Sequence, residues 1–443
     1  MTDGFGRAAW IGIAAAVAVI GLDVGALHAQ TGAPAGSRPS AGDAATGAAT
    51  GASSAPTTSS APTTPAQAAK PLRLGDAVTT ITRALFDKIA RPKDGSVVEV
   101  VVDPLLDGKT GLHTVAAAEA GRRAAEIAKA YPHIRIVPFT PEALSRKPLL
   151  LIGTLSAVQA GAAGQNAEQG GGQAASAQTP DAYRVWFTLA DTATSQVVAK
   201  AQAPAVASDV NASPLPAEAD SPAWRRDAAT AAYLESCAET RPGEALRPAY
   251  VAQLPVAALV AEANAAYAAR RYKEALALYR RAAALPDGEQ LRVLNGIYVT
   301  LDKLGRKTDA EEAFARLVDH GLRQRDLAVK ILFRPGTPEF VRGREARAYP
   351  MWLSRIATRA AAGDACLEIV GHSSPTGPAA VNDRLSALRA ETIRGRLDGA
   401  SRGLGTRIVA RGAGSRETIV GTGRDDATDA LDRRVEFKVI GCS

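Results

Sequence analysis

The sequence predicts a multidomain α+β chain: an N-terminal α/β domain, a short helical-repeat region and a C-terminal α+β sandwich. Three observations carry that reading. Strand-length apolar runs such as "SVVEVVVDPL" and "PLLLIGTLSAV" alternate with helical spacing in the first half. A self-similarity of 35 residues marks the middle, and strands alternate with helices again after Asp326. At 443 residues, alanine-rich and only 5% aromatic, the chain suits several small helix-on-sheet units better than one large β-sandwich.

Residues 1–29 have a short start with Arg7, an apolar run from Ala8 to Leu22, and small residues at Ala26 and Ala29. That is the pattern of a secretory signal, cleaved after Ala29 or Ala26; a retained anchor is the alternative. No cysteine stands at the boundary, which argues against a lipid anchor. Residues 30–70 are Ala, Gly, Ser, Thr and Pro, as in "SSAPTTSSAPTTPAQ", and bury too little apolar surface to offset chain entropy. They read as a tether. The formal charge is +7, but no Lys/Arg block is interleaved with aromatics, so nucleic acid is excluded as a partner.

Residues 71–205 read as the α/β domain. "LGDAVTTITRALFDKIA" spaces Val78, Ile81, Leu85 and Ile89 as one helix face. Strands follow at "SVVEVVVDPL", "IRIVPF" and "PLLLIGTLSAV", with a helix at "TVAAAEAGRRAAEIAKAY". After a Gly/Gln/Ala-rich insertion over 161–178, "YRVWFTLAD" and "SQVVAKAQA" form a hairpin turning near Thr192 to Ser195. "DPLLDGKTG" invites comparison with a phosphate-binding loop. Asp103 occupies the position where that loop needs glycine, however, and Pro104 removes a donor, so the stretch is a strand-to-helix turn. "VVVDPLLDGKTG", "LLLIGTLSAV" and "YRVWFTLADTATSQVVAKA" together resemble bacterial envelope assembly proteins of the CsgG, FlgO and LpoB type. That resemblance implies a non-enzymatic adaptor contacting other envelope proteins.

Residues 206–250 are Pro- and Ala-rich and read as a linker, with a possible helix from Trp224 to Cys237. Over 251–322 the chain becomes strongly helical. "ANAAYAARRYKEALALYRRAAALP" and "NGIYVTLDKLGRKTDAEEAFARLV" align Arg270 with Gly305, Ala275 with Ala310 and Tyr279 with Phe314. The region resembles two tetratricopeptide repeats, which implies either a protein-binding groove or a helical spacer.

Residues 326–443 carry a strand at "AVKILFRPGTPEF", a helix at "YPMWLSRIATRAAA", a strand at "CLEIVGH", a helix at "VNDRLSALRAETIRGRL", and strands at "TRIVARGAG" and "RRVEFKVI". With "VGHSSPTG", Asn382, "LSALRA" and "DRRVEF" in order, this segment resembles the OmpA-like peptidoglycan-associated domain. The resemblance implies non-covalent binding of the diaminopimelate side chain in the wall peptide stem. It assigns the carboxylate to Arg389, whose planar fork suits it, and the loop to Ser373, Ser374, Gly377 and Asn382. The alternative for Arg389 is a surface arginine paired with an acid.

Two departures stand out. Ser374 occupies the position of the family aspartate, and Arg334 follows Phe333 where an acid is frequent. Asp383 is then expected either to cap the helix or to supply the missing charge. His372 reads as a satisfied structural histidine, and Arg433 and Arg434 as braces of the last strand. Cys366 and Cys442 open and close two strands that would bring them together if antiparallel, leaving Cys237 over; unpaired thiols are the alternative. "GHSSPTG" is not a nucleophile elbow, because Pro375 replaces its last glycine, and the five histidines show no metal spacing with the cysteines. No catalytic residue, cofactor or metal is expected. The sequence thus describes a periplasmic, wall- or outer-membrane-associated, non-catalytic protein that binds peptidoglycan and positions an envelope partner. Its alternative is an interaction scaffold whose last domain has lost wall binding.

Overall fold

The computed structural model describes residues 70–158, 182–223, 227–343, 345–419, 423 and 428–442. The expected signal, all but the end of the tether, the 161–178 insertion and the Trp224 start of the expected helix lie outside the described residues.

Helix α1 (Leu74–Phe86) buries Val78, Ile81 and Leu85 along the spacing seen in the sequence. Strands β1 (Val98–Val102), β3 (Ile134–Ile136) and β4 (Leu149–Val158) pair in parallel, with β1 in the middle. β5 (Ala182–Asp191) and β6 (Gln196–Val206) add an antiparallel hairpin, giving the order β3-β1-β4-β5-β6. The short β2 (Leu106–Asp107) pairs with the far end of β4. The "LDGKTG" turn closes on Asp107, whose carboxylate accepts from the Lys109 and Thr110 amides and the Thr110 hydroxyl. It is an Asx turn, and it spends those amides on a carboxylate of its own. Helix α2 (Val115–Ala128) follows, capped by Thr114, which accepts from Ala117 N.

Both faces of this sheet are covered. α1 and α2 pack on Val100, Leu151, Val185, Phe187 and Leu189. The opposite face, with Val101, Leu150 and Ile152, is covered by α5 (Ala228–Ala238) and the first half of α6 (Pro248–Ala268). Tyr233 of α5 fastens that cover, its hydroxyl donating to Gly153 O and accepting from Gly153 N, both at 3.0 Å. Part of the stretch expected as a linker is therefore folded: α5 lies on the sheet, and α4 (Pro216–Asp220) packs against α6 and the later helix over Leu291–Lys303.

α6 pairs with α7 (Tyr272–Ala283), and α8 (Leu291–Lys303) with α9 (Lys307–Arg323). The 35-residue offset reappears in the backbone. Arg270 and Gly305 both take left-handed φ, 59° and 71°, and the next amides close the same turn, Arg271 N on Ala266 O and Arg306 N on Leu301 O.

The second sheet has the order β7-β10-β8-β9, with β7 (Ile331–Leu332), β8 (Cys366–Gly371), β9 (Ile408–Gly412) and β10 (Arg434–Ile440). β8 and β9 run parallel, and the other pairs are antiparallel. Helices α10 (Tyr349–Ala362) and α11 (Ala379–Ala400) share a core with Leu367, Ile369, Val435 and Phe437. That core is continuous with the helical region: Trp352 stacks on Phe314 at 5.4 Å and donates to the Tyr298 hydroxyl at 2.7 Å. Ala66–Ser443 form one compact unit. Cys366 and Cys442 are joined, S–S 2.04 Å, across a separation of 76 residues. Closing a loop of that size stabilises by about 4 kcal/mol in the chain-entropy account. Cys237 is a buried free thiol, pushed up to about 12 by burial.

A polar seam joins the first sheet to the helices. Asp103, just past β1, is buried and accepts from the Tyr250 hydroxyl of α6 at 2.5 Å. Nearby, His113 Nδ1 meets Glu218 of α4 at 2.7 Å. Burial raises the Asp103 carboxyl to about 6, against the opposing pull of the Tyr250 bond, Arg292 and His113. Its folded value lies above its unfolded one, so the ionised form strains the fold at neutral pH. The strain is relieved as pH falls through 6 toward 4, by about 3 kcal/mol in all. Asp103→Asn, which keeps an acceptor for Tyr250, is expected to be more stable than the parent in urea unfolding at pH 7.5. The margin should shrink by about 1–3 kcal/mol by pH 4.5; a margin independent of pH would show that Asp103 does not titrate in this window.

Candidate functional site

The site is set by where α11 touches the second sheet. Gly371 and Gly412 face each other across β8 and β9. A Cβ on Gly371 would lie 1.9 Å from Ser386 O, and one on Gly412 would lie 2.4 Å from Ser386 Oγ. α11 therefore rests on bare backbone. Ser386 Oγ donates to Asp383 O and accepts from Gly414 N, both at 2.9 Å, which ties the helix to the end of β9.

Arg389 follows Ser386 by three residues. It is wholly buried, at 0% exposure, so it is not the surface arginine that the sequence left as an alternative. Nη1 donates to His372 O at 2.9 Å, Nη2 to Arg334 O at 2.9 Å and Nε to Thr337 O at 3.0 Å. The guanidinium also lies 5.4 Å from the Phe333 ring centroid. One cation thus clamps the end of β8 and the turn that leaves β7.

The loop between β8 and α11 holds the other nominated residues. Ser373 N donates to Gly414 O at 2.8 Å, while its buried hydroxyl has no hydrogen-bond partner among the described residues. Ser374 is 6% exposed. Gly377 takes φ 89°, and Asn382 Nδ2 donates to Thr376 O at 3.2 Å and reaches Gly377 O at 3.5 Å. Arg389, Ser373, Ser374, Gly377 and Asn382 therefore gather on one loop and the helix beneath it.

Several neighbours differ from expectation. α11 begins at Ala379, so Asp383 lies a turn inside it and does not cap it; its carboxylate instead pairs with Arg416 Nη1 at 2.6 Å. Arg334 turns its side chain to Glu339, and it is its carbonyl that meets Arg389. His372 is buried, but neither ring nitrogen has a hydrogen-bond partner among the described residues; Nε2 is 3.7 Å from Glu436 Oε2. Burial first, then Arg434, lowers its pKa to about 3, so the ring is neutral. Arg434 braces the last strand by donating to Glu436 at 2.6 Å and to Glu417 O at 3.2 Å, and Arg433 reaches Phe333 O at 3.4 Å. The Thr337 carbonyl was not legible beforehand, because "RPGTPEF" has no pattern that announces which donor its backbone will meet.

Cys366, being oxidised, offers no thiolate to His372. Among the described residues no cluster of three or more His, Cys, Asp or Glu could hold a metal ion. Nor is any described helix long and apolar enough to cross a membrane.

No family model matches the chain, and no curated protein matches it. Among solved structures, it is similar to the peptidoglycan-associated lipoprotein from Burkholderia pseudomallei, at 21% identity over 25% of this chain and 89% of that one, TM-score 0.22. A putative MotB-like protein from Desulfovibrio vulgaris gives 22% identity over 29% of this chain and 94% of that one, TM-score 0.22. An outer membrane protein from Borrelia burgdorferi B31 gives 21% identity over 25% and 85%, TM-score 0.19.

Two outcomes test this geometry. Gly412→Ala places a methyl against the Ser386 hydroxyl and the Ala387 amide, and is expected to destabilise by about 2–3 kcal/mol in chemical unfolding. A loss below about 0.5 kcal/mol would show that α11 can back away. The depressed pKa of His372 favours the fold above its unfolded value near 6.5, and that contribution disappears as pH falls toward 3. His372→Leu, which removes both unpartnered nitrogens, should lose less stability than the parent between pH 6.5 and 4. Identical acid profiles would mean that the ring does not stay neutral.

Proposed function

We propose that this chain is an exported, non-catalytic envelope protein whose OmpA-like C-terminal unit binds the peptide stem of peptidoglycan non-covalently. Arg389 holds the carboxylate of the diaminopimelate side chain, and Ser373, Ser374, Gly377 and Asn382 shape the loop around it. The observation that carries this reading is the Arg389–His372 O bond, which fixes a buried cation directly beneath the loop that the sequence motif nominates. The α/β unit and the helical repeats then present an envelope assembly or regulatory partner near the wall.

Diaminopimelate carries an ammonium and a carboxylate on one carbon, so a full reader needs an acid beside its arginine. Ser374 offers a hydroxyl instead, and a hydrogen bond to a charged group contributes roughly 1.5–3 kcal/mol. The expected affinity is therefore ten- to a hundredfold below that of a site with both charges. A second reading, an interaction scaffold that does not touch the wall, is favoured by one observation: Arg389 is fully enclosed and already hydrogen-bonded to three carbonyls.

Co-sedimentation of the full chain with purified sacculi separates the two. The C-terminal unit shares its core with the helices, so the intact protein is the right material. Retention that falls at least tenfold in Arg389→Ala and rises in Ser374→Asp is the outcome expected of wall binding. Absence of retention in the parent and in Ser374→Asp alike would leave the scaffold reading. Circular dichroism of Arg389→Ala distinguishes lost binding from lost fold.

A further inference from the structure

The arginine assigned to the ligand is occupied by the protein itself. The turn from Arg334 to Glu339 leaves β7 and returns at Phe340, which bridges back to Phe333. Its feet are fixed: Phe340 packs on Phe333 at 5.4 Å and on Tyr349 at 5.2 Å, with the Arg396 guanidinium 4.9 Å over its ring. Its tip is held by little. Pro335 and Gly336 are exposed, and the span is closed by the Arg334 N to Glu339 O bond at 2.9 Å and the Arg334–Glu339 ion pair. What draws this turn inward is Arg389, whose Nε and Nη2 donate to the carbonyls of Thr337 and Arg334.

Nε and one Nη lie along one edge of the guanidinium fork, the edge that a carboxylate engages with two parallel bonds. We propose that the Arg334–Glu339 turn is a built-in surrogate ligand. Its two carbonyls stand where the two oxygens of a stem carboxylate bind, so ligand capture proceeds by displacement of the turn. The inference rests on the wall-binding reading of Arg389. The third bond, from Nη1 to His372 O, is unaffected by the exchange and keeps the cation beneath the loop. Two carbonyl dipoles are exchanged for one full negative charge, which is the direction in which a guanidinium gains.

Apparent affinity is then the intrinsic affinity scaled by the fraction of molecules with the turn released. The ion pair that closes the turn is exposed, with side chains 38% and 63% accessible. Removing such a pair shifts an equilibrium by only a few-fold. The experiment is calorimetric titration of the full chain with a muropeptide tripeptide ending in meso-diaminopimelate, paired with hydrogen exchange. Glu339→Ala is expected to bind roughly two- to fivefold more tightly than the parent. Amide exchange at Arg334, Thr337 and Glu339 is expected to rise when ligand is added, since the turn's internal bonds, Arg334 N to Glu339 O among them, loosen once Arg389 no longer holds its carbonyls. A second variant, Pro335→Gly with Pro338→Gly, loosens the turn without touching either charged side chain and should move affinity in the same direction. Tighter binding together with faster exchange in this turn supports the proposal. Ligand that binds with unchanged or slower exchange over 334–340, and with no gain in either variant, overturns it while leaving wall binding intact. No binding by parent or variants, in solution or on sacculi, defeats the wall-binding reading itself.

Discussion

The C-terminal half of this protein depends on a steric allowance. Two glycines, Gly371 and Gly412, lie opposite each other on parallel strands and let α11 settle onto them at Ser386. Any side chain there would lift the helix away from the sheet. Because the helix sits so low, Arg389 is delivered into the interior rather than onto the surface, and its length is just enough to span from α11 to the end of β8 and the turn beyond β7. Burying a guanidinium is unfavourable unless its donors are satisfied. Here backbone carbonyls satisfy them, so the arginine ties together α11, the end of β8 and the turn beyond β7. The proposed anion recognition is a second use of a group already required for the fold.

The same economy of contacts governs the rest of the chain. α6 begins on the first sheet, with Leu254 and Ala258 in one core, and ends among the repeats, with Ala263 and Tyr267 in another. The aromatic group Tyr298, Phe314 and Trp352 then carries the packing on to the second sheet. A partner bound on the first sheet would therefore be held through packed helices rather than through a loose joint. The polar seam at Asp103, His113 and Glu218 is the weak point in that continuity, because it encloses a carboxyl that burial raises to about 6.

How much of this was legible in the sequence follows from range. Periodicity located α1 and the strands β1, β3, β4, β5 and β6, because each element's pattern is local and its buried face repeats every second or every 3.6 residues, whereas the two-residue β2 is too short to show one. The 35-residue offset reached further, down to matching left-handed residues at Arg270 and Gly305. Motif order gathered Ser373, Ser374, Gly377, Asn382 and Arg389, since loop and helix are adjacent in the chain. What escaped was set by contacts over long separations. The Pro- and Ala-rich stretch around α5 suggests a helix, but nothing local in it shows that Tyr233 will reach Gly153. Asp383 looks like a cap because the helical pattern reads from Val381, whereas the helix already begins at Ala379, with Pro378 extended at its N-cap position. That Thr337 would meet Arg389, across 52 positions, is written in no local pattern.

The bond between Cys366 and Cys442 has a topological consequence. It makes a covalent ring of β8, the loop, α11, β9 and β10, and Arg389 lies inside that ring. Residues 334–339 lie outside it. Thermal fluctuation can therefore peel the outer segment from the guanidinium while the circumference stays sealed, so the protein can open its interior to a visitor without beginning to unravel.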